Sequence, residues 1–92
     1  MFFNAPKCLA AVSATTTAAA ITAADDPSYV GVMITPTDNT IYVGDSTVSS
    51  TNGTPVSPGQ TLSLATKNPS TVFVRTASGT ADVRVTAFVG FR

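Results

Sequence analysis

The chain has 92 residues, 43% of them hydrophobic but only 11% charged, and its five basic and five acidic residues cancel to a formal net charge of zero. One domain of this size draws its stability from a small core, and without a basic excess counterion release gives no drive for nucleic-acid binding. There is no His, no Glu and one cysteine, Cys8, so the imidazole base of a Ser or Cys nucleophile, an intramolecular disulfide and the common zinc ligand sets are all missing.

Small and β-branched side chains dominate the apolar fraction, with 13 Ala and 11 Val against three Leu. Val is stiff at χ1 and fits a pleated surface, so the composition predicts an all-β fold. A surface this poor in charge suits a subunit covered by neighbours, because near-neutral proteins associate; a solvated, Thr-rich β-surface fits the same composition. No apolar run approaches the roughly 18 residues of a membrane-spanning helix, and no membrane partner is expected.

In chain order, residues 1–12 show no alternation and are expected to form an N-terminal arm, with residues 13–92 as a single domain. The start imitates a signal peptide, but Phe2 and Phe3 precede Lys7, and Thr15–Thr17 interrupt the apolar run; cleavage is not expected. Phe2 and Phe3 are candidate partner-interface residues, because no alternating strand places them in the domain's own core. They dock on a neighbouring subunit, or the arm folds back and caps an exposed sheet edge. Cys8 reads as a spectator thiol.

The stretch "SATTTAAAIT" reads as extended chain, ended by "AADDPS", where Pro27 prevents continuation and Asp25-Asp26 serve a turn. Val30, Val32 and Ile34 then share a face, as do Ile41 and Val43, which predicts a hairpin around "PTDN". Gly31, Met33 and Tyr42 fall on the opposite face. "TNGT" and "SPGQ" are turn signals, the latter a type II turn with Gly59 at positive φ, and Leu62 and Leu64 resume the alternation. In "STVFVRTASGTADVRVTAFV" the alternation on both sides of Ser78-Gly79 predicts a second hairpin. Its register sets Val74 against Val83 and Val72 against Val85 inside, with Arg75 opposite Asp82 and Phe73 opposite Arg84 outside.

Phe88 lies on the polar side of its strand, so it rests on Phe73 or is covered by another subunit. Phe91 extends past the last clear alternation. Both join Phe2 and Phe3 as candidate interface residues. About six to seven short strands with regular turns predict a small antiparallel β-sandwich. Asp38 and Asp45 sit in turn contexts, and Gly31, Gly44 and Gly79 have no phosphate-cradling spacing. A non-enzymatic protein without cofactor or metal is expected.

The order "IYVGDSTVSSTNGTPVSPGQTLSL", then "TVFVRTASGTADVRV", resembles a small β-sandwich domain of tailed-bacteriophage virion structural proteins. The shared features are the Tyr42-Val43-Gly44 step, a Ser/Thr-rich crossing loop, Pro58-Gly59 before Leu62-x-Leu64, and the closing "SGTADVRV" hairpin. They cover roughly residues 30–89. The chain departs from the pattern at "TPTDN", where the family has Gln-Asn, and in the arm. The resemblance implies a virion structural subunit, foremost a capsid decoration or cement protein bound to the major capsid protein. A tail, baseplate or neck component is the alternative within virions. Self-association is expected, with a trimer preferred from decoration proteins in general. A carbohydrate-binding or adhesin module is the reading from another class, with little aromatic surface to support it: Trp is absent, and Tyr29 and Tyr42 are the two Tyr residues.

Overall fold

A computed structural model describes residues 3–22 and 28–91. Extended segments follow one another as β1 (Phe3–Cys8), β2 (Val12–Ala14), β3 (Ala19–Ala20), β4 (Tyr29–Pro36) and β5 (Ile41–Gly44). They continue as β6 (Thr54–Val56), β7 (Leu62–Leu64), β8 (Phe73–Arg75) and β9 (Ala81–Phe91), with a 3-10 turn at Pro69–Thr71 before β8. The strands form two antiparallel sheets. In the larger, β9 pairs on one side with β4, which pairs with β7, and on the other side with β1 and β2. The smaller runs in the order β3-β8-β5-β6.

The all-β sandwich expected from composition is therefore present, built from nine strands among the described residues rather than six or seven. The excess comes from β1, six residues within the expected arm, and from pieces of two or three residues, such as β2, β3 and β6, too short to show a period. One core joins the sheets: Val32, Ile34 and Val83 from the larger and Ile41 and Val74 from the smaller are all fully buried. At about 3.3 Å per residue, the eleven residues of β9 span roughly 36 Å, most of the 43 Å long axis. This strand is the spine on which the larger sheet is assembled.

Both expected hairpins are corrected. Val72, Val74, Val83 and Val85 are all buried, but β8 and β9 lie in different sheets, and residues 76–80 carry the chain across the sandwich. Val74 pairs with Val43 and Ala19, and Val83 with Pro36 and Val12. Arg75 stands opposite Tyr42, not Asp82, and Asp82 bonds Arg84 two residues along its own strand at 2.9 Å. Likewise β4 and β5 belong to different sheets, so "PTDN" is a crossing and not a hairpin turn. The reverse error concerns the Ser/Thr-rich stretch. β5 and β6 pair with each other, so residues 45–53 form a hairpin loop within one sheet, and the crossing comes later, at residues 57–61. Alternation reports which residues face the core, and in a sandwich facing strands and paired strands share that parity.

The crossings are laced together at one end. Asp38 Oδ1 accepts from Asp82 N at 2.9 Å, and Asn39 Nδ2 donates to Ser78 O at 3.0 Å and Thr80 O at 3.3 Å. Thr76, fully buried, donates its hydroxyl to Gly79 O at 2.7 Å, and its N–H to Thr15 O at 2.8 Å. Gly59 N reaches Pro36 O at 2.9 Å, and Gly59 has φ +83°, as the "SPGQ" turn requires. One expected inward residue is turned out: the β4–β9 register shifts between Tyr29 and Gly31, leaving Val30 as the extra residue, 37% exposed.

Candidate interaction surface

The segment expected as an arm lies along its own sheet. β1 pairs with β9 over six positions, from Phe3 opposite Phe91 to Cys8 opposite Thr86. Leu9 N continues the ladder to Val85 O at 3.0 Å before β2 resumes it. Lys7 holds its ammonium 5.7 Å from the centre of the buried Tyr29 ring, so β1 and β4 are bridged across β9 by a cation–π contact. Cys8 is an exposed free thiol.

Of the four candidate interface residues, Phe3 and Phe91 are brought opposite each other in the β1–β9 register, and Phe88 lies three positions before Phe91 on β9. Phe2, like Asp25 and Asp26, lies outside the described residues. Phe88 stands on the outer face of the larger sheet, between Pro6 of β1 and Gly31 of β4. Its ring lies 3.7 Å from where a Gly31 Cβ would stand, ordinary contact distance, and it stays half-buried. Phe88 does not rest on Phe73, which belongs to the other sheet.

A second outward patch forms on the smaller sheet. Phe73 is flanked by Ala20 and Gly44, and Tyr42 by Arg75 and Pro55; both aromatics are half-buried. Parity marks Tyr42, Phe73 and Arg75 as outward, and the strand order β3-β8-β5-β6, which has no local signature, unites them.

Beside this patch the 45–53 loop encloses an open cleft of about 330 Å³ lined by Asp45, Thr47, Asn52 and Thr54 among others. Its polar groups serve the loop itself. Asp45 Oδ1 accepts the Thr47 hydroxyl and, at 2.9 Å, the Thr47 N–H. Ser49 N donates to Asn52 Oδ1 at 2.7 Å, and Gly53 N to Ser49 O at 3.0 Å. The Thr47 hydroxyl, then its N–H, hold the Asp45 carboxyl below its ordinary range, so at neutral pH it is an ionised turn cap and no proton donor. On the larger sheet, Arg84 does the same for Asp82, chiefly by its hydrogen bond. Among the described residues no three of His, Cys, Asp and Glu come together.

No protein-family model matches the chain, and no curated protein matches it.

Proposed function

We infer that this chain is a non-enzymatic structural subunit of a bacteriophage virion, and within that class a capsid decoration protein held to the shell by protein–protein contacts. The observation that carries the reading is Phe88, a large aromatic set outward at the middle of the larger sheet. It lies between Pro6 and Gly31 on a chain with almost no charge to keep partners away. The carboxylate of Asp45 caps its own turn, that of Asp38 accepts from the Asp82 N–H between the crossings, and that of Asp82 accepts from Arg84; the Ser/Thr stretch is engaged in its own loop. The sequence resemblance over residues 30–89 supports the same reading, although the structure corrects its crossing-loop feature. A tail, baseplate or neck position is the alternative within the virion.

Mass spectrometry of purified particles tests it: the chain is expected in fixed ratio to the shell subunit, and Phe88→Asp is expected to remove it from particles while leaving the fold intact. Recovery of the chain only in the soluble fraction defeats the reading.

One observation favours the carbohydrate-binding reading as second: Tyr42 and Phe73 share a face with Arg75, next to the polar cleft of the 45–53 loop. Glycan-array binding that is lost in Tyr42→Ala supports it over the virion reading.

A further inference from the structure

The sandwich has four sheet edges, and an edge with unpaired peptide groups is a template for another chain. Three of the edges carry a device that blunts them. Leu9 N bonds Val85 O, and the β1–β9 register runs on without a break, so odd-numbered residues of β1 aim their peptide groups at β9 and even-numbered ones aim them outward. Pro6 therefore occupies an outward position with no N–H to offer, Lys7 adds a charge, and the step between Cys8 and Val12 breaks this edge before β2. On β6 the same role falls to Pro55, and β3 is two residues long.

β7 is three residues long, one more than β3, and shortness is its one guard. From Thr61 to Ala65 there is no proline, charge or step. The Leu64 carbonyl oxygen lies 2.9 Å from where a Gly31 Cβ would stand, so Leu64 directs its peptide groups at β4. By alternation, Ser63, which is exposed, directs its N–H and C=O away from the sheet. Leu62 and Leu64, opposite Ile34 and Val32 on the core side, remain half-buried. The core is open along this edge.

We propose that β7 is a dimer edge: it pairs antiparallel with β7 of a second copy about a two-fold axis through Ser63. The segment is self-complementary. Ser63 meets Ser63 of the second copy with both peptide groups exchanged, Leu62 meets Leu64, and the two open cores close on each other with no charge buried. A two-fold contact uses one patch twice, whereas a ring needs two different complementary patches, and the other edges are blocked. The assembly is therefore a dimer and not the trimer expected from decoration proteins. The proposal does not rest on the virion reading, since the isolated chain is the reagent.

Sedimentation velocity on the full chain tests it. Wild type is expected to run as a dimer. Ser63→Lys and Ser63→Glu each place like charges opposite one another, at about 5.5 Å between Cα atoms of a hydrogen-bonded pair, and each is expected to run as a monomer with unchanged circular dichroism. An equimolar mixture of the two variants is expected to restore the dimer. A wild type that stays monomeric at its highest soluble concentration overturns the proposal. So do variants that still dimerise alone, or a mixture that stays monomeric.

Discussion

Asn39→Ala distinguishes the laced crossings from a pair of independent hairpins. The Asn39 amide donates to Ser78 O and Thr80 O, some forty residues away, at 3.0 and 3.3 Å, and its Oδ1 accepts from Thr40 N at 2.8 Å. Each net hydrogen bond contributes about 0.5–1.5 kcal/mol. The 3.3 Å contact is long and water reaches the exposed acceptors, so the total expected loss is about 2 kcal/mol. For a domain of this size that corresponds to a fall in Tm of roughly 8–16 °C. Urea unfolding followed by circular dichroism gives the value, with an unchanged m-value showing that the native state keeps its extent. If residues 76–80 closed a local hairpin, residue 39 would be remote from it and the variant would fall within about 0.5 kcal/mol of wild type. That result refutes the crossing.

Deleting residues 2–6 strips most of β1 from the edge of β9, and a Tm drop of more than about 4 °C, the equivalent of 1 kcal/mol, is expected in the isolated domain; no change would contradict its structural role. Gly31→Ala places a methyl 2.9 Å from the Leu64 carbonyl oxygen, which only backbone movement relieves, so a loss of about 1–3 kcal/mol in urea titration is expected. Asp82 is held below its ordinary value of 3.8. Its contribution to stability is therefore present above that value and is lost as pH falls through the lower folded one. Arg84→Gln is expected to raise the Asp82 midpoint seen by carboxyl-carbon NMR, and an unmoved midpoint would show that Arg84 is not the cause.

Facing was legible in the sequence where pairing was not. Val72, Val74, Val83 and Val85 alternate cleanly, and all four are inside; nothing local to them says that Val74 meets Val43 and not Val83. That choice was made by Thr37, Asp38 and Asn39, whose side chains and backbone tie the distant 76–82 segment, a long-range contact with no periodic signature. Gly59 was readable because Pro-Gly demands positive φ. Val30 was misread because a bulge shifts parity by one residue without changing composition. β1 was hidden by "NAP", which looks like a breaker although Pro6 sits at an outward edge position that costs no ladder bond. Of the candidate surface, the outward aromatics Phe73 and Phe88 could be read from parity. The placing of Tyr42 beside Arg75, and of Gly31 under Phe88, depended on strand order.

Cryo-electron microscopy of purified particles carrying this chain tests the proposed function most directly. Density for the two-sheet sandwich is expected on the outside of the shell, with the Phe88 face of the larger sheet against a shell subunit. Shells without that density, in particles from a culture that makes the chain in quantity, would contradict it.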